Sequence, residues 1–318
     1  MSTAFKVTKK DQGKRLDLFL AAAAKVSRKK AKLWIDEGKV FLSERKIIIA
    51  SWELQEGDEV QVHESNETAP SLGRRERYLK IHYEDPDLLV VEKPPGVACE
   101  RSAQTLSSTL VDDINDYLKR AHPSIAFPYV GLMHRLDRQT SGLMVYTLTK
   151  QANALSEQFK SHRLGRCYLA LVEGRLKQQE GVIDHAIAKD LDSSGKKMKA
   201  MSKGKGLPSN RAVTRYRVIE RYANATLVEA RLETGRTHQV RVHLAALGHP
   251  VIGDATYGSK VLAPRHLLHA SYLEFRHPLS QKKLSFNSKP PKDFKNWMER
   301  FRAEAVGLPS KRRAKGRP

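Results

Sequence analysis

The stretch Gly131–Tyr146, GLMHRLDRQTSGLMVY, limits the fold more than any other part of the chain. It sets one carboxylate, Asp137, among His134, Arg135 and Arg138, then passes through Thr140, Ser141 and Gly142 into the apolar run Leu143–Tyr146. Thr, Ser and Gly in succession read as a turn. A short branched and aromatic run that leaves a turn reads as a buried strand. An acid on a loop, hemmed by arginines and held by a buried strand, is where a reactive group belongs. An Arg-x-Asp-Arg string by itself equally suits a surface ion pair, so the decision falls to the longer pattern.

His134-Arg135-Leu136-Asp137 followed by Thr140-Ser141-Gly142 resembles the signature of the RluA-type pseudouridine synthases, in which the aspartate is the catalytic nucleophile. Two later stretches carry the same resemblance in the same order. Tyr168, at the head of an apolar strand, stands where that family has a tyrosine that stacks on the target base. Thr234-Gly235-Arg236-Thr237-His238-Gln239-Val240-Arg241 is similar to its third motif. The resemblance implies that Arg241 pairs with Asp137, that Val240 is an apolar wall beside the ring, and that Arg135 fills the space a flipped base vacates. It implies substrate contacts for Arg236 and a supporting hydrogen bond for His134. Cys167 departs from the family, which often has a basic residue there. The phrase Val91-x-Lys93-Pro94-x-Gly96 also matches, as a supporting strand and turn rather than a site.

The implied reaction cuts the base from the sugar, rotates it and rejoins it through carbon 5, with nothing added or lost. A carboxylate that attacks the ring or the sugar, or removes a sugar proton, is sufficient, so no metal or redox cofactor is expected. A fixed arginine favours the charged carboxylate and orients it. A tyrosine face under uracil contributes roughly 1–3 kcal/mol in comparable stacks. A paired base must first be flipped out, at a cost of a few kcal/mol.

The rest of the chain divides around this centre. Residues 1–66 read as a small RNA-binding unit, with a helix from Leu16 and a second from Arg28 to Glu37 that Ser27 caps and Gly38 stops. Strands are expected near Val40–Leu42, Ile47–Trp52 and Glu59–Val62. The order of Arg15-Leu16-Asp17, Ser27-Arg28, Glu37-Gly38-Lys39-Val40 and Glu56-Gly57-Asp58-Glu59-Val60 resembles the alpha-L RNA-binding domain of a ribosomal small-subunit protein. Ser43-Glu44-Arg45-Lys46 replaces the usual Asn-Gly turn. The resemblance makes the basic second helix, with Arg28, Lys29, Lys30 and Lys32, the RNA-facing element.

Residues 67–77 read as a linker and residues 78–296 as the catalytic domain. Helical spacing is expected over Leu106–Leu118, Ala152–Lys160 and His238–Leu247, with strands at Leu88–Val91, Arg166–Val172, Ala212–Ile219, Ala225–Leu232 and Leu267–Phe275. Asp190–Ser209 is Lys-, Ser- and Gly-rich without periodicity and reads as a mobile loop. Residues 297–318 read as a basic tail, with five Lys or Arg among the last eight residues. The expected class is α+β, with a mixed, largely antiparallel sheet flanked by helices.

Charge narrows the partners. Fifty-seven Lys and Arg against 35 Asp and Glu leave 57 − 35 = +22 on 318 residues. That excess points to a polyanion, and nucleic acid is the commonest. No stretch approaches the roughly 20 apolar residues of a spanning helix, and MSTAFKVTKK lacks the apolar run of a signal peptide, so a cytoplasmic protein is expected. Cys99 and Cys167, far apart, read as reduced thiols. His238 and His243, five apart, lack a Cys or Glu partner at ligand spacing, so no metal site is expected. A metal-dependent nuclease lacks its clustered carboxylates here. A non-catalytic RNA chaperone does not account for Asp137, Tyr168 and Arg241 together. The partner expected is structured RNA, most simply ribosomal, without an obligate protein partner.

Overall fold

The computed structural model describes residues 2–36, 39–42, 45–47, 50, 52–63, 79–101, 108–125, 127–161, 163–190, 197–201 and 211–305. Two compact units emerge, Met1–Leu79 with Gly96–Tyr117, and Lys80–Pro95 with Leu118–Pro318. The linker expected at 67–77, the Gly38 stop and the Ser43-Glu44 turn lie outside the described residues.

In the first unit, β1 (Ser2–Lys6), α1 (Leu16–Ala23), α2 (Arg28–Asp36), β2 (Val40–Leu42), β3 (Arg45–Lys46) and β4 (Glu59–His63) form a four-stranded sheet, β1-β4-β2-β3, with two helices. Leu16, Leu20, Trp34, Ile35, Val40, Leu54 and Val60 share one core, which is why apolar residues recur on one face of each helix. Ser27 caps α2 through the Lys30 N–H, which donates to its Oγ at 3.2 Å. Two expectations need correction. The sheet gains an edge strand from Ser2–Lys6, whose Phe5 lies opposite Val60. The described pairing strand is Arg45–Lys46, ahead of the expected Ile47–Trp52, of which residues 48, 49 and 51 lie outside the described residues; the Trp52 carbonyl accepts from the Leu16 N–H. Ile47, Trp52 and Leu54 are apolar because they fill the core, not because they alternate in a sheet.

Asp17 anchors this unit. Its buried carboxylate accepts from Arg15 Nε and Nη2 (3.0 and 3.1 Å) and from Arg28 Nε and Nη2 (3.0 and 2.9 Å). Arg28 is therefore committed to an ion pair rather than held out with the lysines of α2.

The second unit carries β5 (Lys80–Glu84), β6 (Leu88–Lys93), β7 (Gly131–Leu132), β8 (Ser141–Thr147), α4 (Leu155–Lys160), β9 (Gly165–Glu173), β10 (Glu180–Asp184), β11 (Ile187–Lys189), β12 (Met198–Ala200), β13 (Val213–Arg221), β14 (Ala225–Leu232), α5 (Gln239–Ala246), β15 (Leu268–Arg276), β16 (Lys283–Asn287) and α6 (Lys292–Ala305). The remaining helix, α3 (Leu110–Ala121), spans the division between the units and begins later than the expected Leu106, which lies outside the described residues. A ten-stranded sheet runs β10-β13-β14-β9-β15-β8-β6-β5, with β16 added to β15 and β7 to β8. Its pairs are antiparallel except β8 with β15, so the sheet is mixed and largely antiparallel, in an α+β fold. Every residue of β8 is buried, which explains the unbroken apolar run after Gly142.

Three further corrections follow. The Asp190–Ser209 segment contains β12, which pairs with β11. The helix expected over Ala152–Lys160 is a 3₁₀ turn, Gln151–Ala154, followed by α4. A tail from 297 is wrong over its first part, because α6 continues through Ala305 and buries Phe294 and Phe301 beside Leu171, Leu227 and Leu267. Charged residues on its outer face hid that apolar stripe. No helix among the described residues is long and apolar enough to cross a membrane.

The Asp17 pair gives a pH dependence. Burial opposes the charge of Asp17, but Arg15 and Arg28 outweigh it and hold the carboxyl below its ordinary value. Its folded pKa thus lies below the unfolded one of about 3.9, so its stabilisation is present above that pH and is lost as pH falls through the folded value. Asp17→Asn should cost about 2 kcal/mol at pH 7. The gap to the unmutated protein should close on acidification below about pH 4. Thermal unfolding of both proteins at neutral and acidic pH checks this, and a gap that is constant with pH contradicts it.

Candidate active site

Asp137 sits on the loop between β7 and β8, and that loop is held from several sides. The Thr140 N–H donates to the Asp137 carbonyl at 2.9 Å and closes the turn. Lys93, fully buried at the end of β6, donates from Nζ to the Arg138 carbonyl at 2.9 Å and the Pro94 carbonyl at 3.1 Å. Arg265, also buried, donates from Nη1 to the Gln139 carbonyl at 3.0 Å while its Nε reaches Asp293 Oδ2 on α6 at 2.6 Å. Thr140 Oγ1 meets His266 Nε2 at 2.8 Å, and Ser141 Oγ meets His269 Nδ1 at 3.0 Å. Burial pushes both histidines down, His269 to about 4 and His266 well below its ordinary value. His269 is thus neutral. Its Nε2–H donates to the Ser288 carbonyl at 3.1 Å, which leaves Nδ1 to accept from Ser141.

The sheet adds its own constraint directly after the loop. Lys93, Gly142, Ala270, Tyr168 and Ala230 are successive cross-strand partners on β6, β8, β15, β9 and β14. Gly142 has φ +123°, and a Cβ there would lie 2.2 Å from the Ala270 carbonyl oxygen. The glycine of Thr140-Ser141-Gly142 is required because two backbones meet at that point.

Arg241 is brought to Asp137 by α5. Its Nη1 donates to Asp137 Oδ2 at 2.8 Å, while Nε and Nη2 grip Asp254 Oδ2 and Oδ1 at 2.6 and 2.8 Å. The Tyr257 ring lies 5.0 Å from its guanidinium carbon. Burial opposes the charge of Arg241, but Asp254 first and Asp137 second more than offset it, so it stays a cation. His238, just before α5, has the left-handed φ of 57°. Its Nδ1 lies 2.8 Å from the Tyr257 hydroxyl and its Nε2 faces Asp137 Oδ1 at 3.6 Å, beyond hydrogen-bond range. Burial holds His238 below its usual value despite Asp137. Gln239 pins the preceding turn: its Oε1 accepts from Thr234 Oγ1 at 2.8 Å and from the Arg236 N–H at 2.9 Å.

A cleft of about 740 Å³ opens over Asp137, within the range of small-ligand sites. Tyr168, Met133, Leu136, Phe159 and Leu232 supply its apolar wall. Arg135, Lys160, Arg166 and Arg236 line it too, against the single carboxylate of Asp137. His134 stacks on Phe159 with centroids 4.8 Å apart and accepts the Val145 N–H at Nε2 (3.2 Å). Burial, with Arg166 nearby, pushes His134 to about 3.

The fold therefore brings together Asp137, Tyr168, Arg241, His134, Arg135 and Arg236. Val240, expected as the apolar wall, is buried in the first turn of α5 and, like Arg241, is not among the described residues that line the cleft. Successive helical residues diverge by a large angle, so with Arg241 turned to the two carboxylates Val240 turns to the core. The α2 residues Arg28, Lys29 and Lys30 are exposed and Lys32 is half-buried. His243 is bound to Thr214 and the His185 carbonyl, apart from the partners of His238. Sequence reasoning did not assign Asp254, Tyr257, His238 or Arg166 to the site. In the sequence, Gly253-Asp254-x-x-Tyr257-Gly258 reads as a turn-rich loop with no sign of a site.

A buried arginine that holds one partly open carboxylate in a cation-lined cleft suits chemistry on an anionic substrate. The chain belongs to the RNA pseudouridylate synthase family, whose model matches residues 87–246, and an S4 domain is matched at residues 14–60. It is an RNA pseudouridine synthase, an isomerase that converts uridine to pseudouridine. Similar proteins include ribosomal large subunit pseudouridine synthase D of Zymomonas mobilis, 40% identical over 68% of this chain and 70% of that one. The protein of the same name from Xanthomonas campestris is 35% identical over 92% of this chain and 91% of that one. Among solved structures, human RNA pseudouridylate synthase domain containing 4 has a TM-score of 0.58 and 27% identity, over 74% of this chain and 95% of that one.

Gly142 offers a direct check on the framework. Gly142→Ala should combine a strained φ with overpacking against Ala270, each costing about 1–3 kcal/mol. The expected result is a thermal transition lowered by many degrees or no recoverable folded protein. An unshifted transition would show that β8 and β15 do not meet there.

Proposed function

We propose that this enzyme isomerises specific uridines of large-subunit ribosomal RNA in the cytoplasm, with Asp137 as the nucleophile on a flipped-out base. The observation that carries this is the Arg241–Asp137 pair at 2.8 Å below a cleft lined by Tyr168. The carboxylate bonds to the ring or to the sugar, the bond from C1′ to N1 breaks, the uracil turns, C1′ joins to C5, and the bond to the carboxylate breaks so that Asp137 is returned free. The proton leaves C5 and N1 gains one, so the reaction balances without a co-reactant.

Each residue has a role in that sequence. Arg241, anchored from behind by Asp254, orients Asp137 and keeps it from rotating into the pocket wall. Tyr168 offers its face to the uracil. Arg135, exposed at the mouth of the cleft, enters the space that the base leaves. Arg236 contacts RNA from the turn before α5. His134, neutral and stacked on Phe159, supports β8 rather than transferring a proton. Two relatives named above carry ribosomal large subunit in their names, and that supports ribosomal RNA as the substrate. No obligate protein partner is required for this chemistry.

The S4 domain adds RNA affinity through Lys29, Lys30 and Lys32 of α2. Arg28 contributes less, because Asp17 engages it.

Asp137→Asn should reduce isomerisation to background while RNA still binds, since the change removes a nucleophile but little shape. A tritium-release or mass-spectrometric assay on a ribosomal RNA transcript measures this, and robust turnover by the variant would overturn the assignment. Replacing Lys29, Lys30 and Lys32 with Gln should flatten the slope of log affinity against log salt. The change is roughly 0.7–0.9 for each phosphate that the helix no longer neutralises. An unchanged slope would remove α2 from the RNA interface.

A further inference from the structure

Arg166 is a buried cation with no anion beside it among the described residues. It stands on β9 two residues before Tyr168, is 8% exposed, and lines the cleft with Asp137 and Tyr168. Its Nε has no hydrogen-bond partner among the described residues. The carbon of its guanidinium lies 5.7 Å from the Phe159 ring centroid, which supports one face of the group. Gly235 packs against the other end: a Cβ there would stand 2.8 Å from Nη1 and 3.1 Å from Nη2. The glycine of Thr234-Gly235-Arg236 thus leaves room for this guanidinium. Asp137, the one carboxylate among the described residues of the cleft lining, is already engaged by Arg241.

A desolvated charge is costly unless it is paired and hydrogen-bonded. Ion pairs hold other buried arginines of this protein, Arg241 on Asp254 and Arg265 on Asp293. Arg166 has no such partner among the described residues, and it faces the space that RNA enters. We propose that Arg166 binds a backbone phosphate flanking the target uridine, and so fixes the flipped nucleotide over Asp137. A uracil carbonyl would accept a hydrogen bond but would leave the buried charge uncompensated. A phosphate supplies both charge and two oxygens for the planar fork of arginine. Burial against Phe159 keeps the side chain in place before RNA arrives, so little rotamer entropy is lost on binding. The assignment rests on the uridine-isomerising activity above and deepens it by naming how the backbone of the substrate is held.

The test uses the full chain and a large-subunit ribosomal RNA fragment in which the unmutated enzyme's target uridine has been mapped. If no uridine in that RNA is isomerised, the substrate assignment fails before Arg166 is questioned. Binding is then measured over a salt series for Asp137→Asn enzyme, alone and combined with Arg166→Gln or Arg166→Lys. The RNA is used unmodified and with a neutral methylphosphonate at each flanking phosphate in turn. Arg166→Gln should weaken binding on the order of tenfold and lower the salt slope by roughly 0.7–0.9. Arg166→Lys should keep the slope. One methylphosphonate should weaken the Arg166 protein and cost the Arg166→Gln protein nothing further. Additive losses at both positions, or an unchanged slope, overturn the phosphate contact and leave the base as the ligand. Melting without RNA separates a structural role. Arg166→Met keeps the aliphatic stem and removes an unpaired buried charge, so its transition should hold or rise. A fall comparable to a core truncation would make Arg166 a packing residue and overturn the proposal.

Discussion

One guanidinium organises the site. Arg241 reaches two carboxylates at once, and the two contacts differ in kind. Asp254 takes Nε and Nη2 in a buried bidentate pair, whereas Asp137 takes only Nη1 and stays open to the cleft. The first pair fixes the arginine, and the fixed arginine aims the second carboxylate. Without Asp254, a lone Arg–Asp pair would let Asp137 and Arg241 move together. With it, orientation is set by the protein before RNA binds, which is where catalytic electrostatics gain most.

That aim depends on a loop whose backbone cannot drift. Two buried cations, Lys93 and Arg265, hold the carbonyls of Arg138 and Gln139. Two neutral histidines hold the hydroxyls of Thr140 and Ser141. Arg265 also ties this loop to Asp293 at the start of α6, so the last helix of the fold supports the first turn of the site. Beneath the loop, Gly142 lets β8 approach β15 closely and sets Tyr168 one strand further on. The loop that carries Asp137 and the strand that carries Tyr168 thus meet at one row of the same sheet.

The cleft wall has the electrostatics that a polyanion requires. Arg135, Lys160, Arg166 and Arg236 surround a single acid that is already neutralised from behind by Arg241. Four cations and one carboxylate therefore line the cleft among the described residues. His134 and His238, both pushed below their usual range by burial, add polar contacts without adding charge.

Much of this was legible in the chain itself. The turn and buried strand around Asp137, the helix that carries Arg241, the strand headed by Tyr168 and the first helices of the S4 domain are local patterns. Each is written in a few consecutive residues whose periodicity or turn chemistry dictates its own backbone. What remained hidden are pairings across long separations. The sequence between Arg241 and Asp254 contains nothing that sets their distance, and nothing local says that Val240 turns to the core while its neighbour Arg241 turns to Asp137. The edge strand Ser2–Lys6 and the helix Lys292–Ala305 were missed because their stabilisation comes from surfaces elsewhere, Val60 and Val62 for the one, Leu171 and Leu227 for the other. By itself the sequence determined which residue types stand in which local elements, and from these the family and its reaction followed. Only the tertiary structure decided which charges share a partner and which, like Arg166, face the cleft instead, because burial and ion pairing arise when distant segments exclude water together.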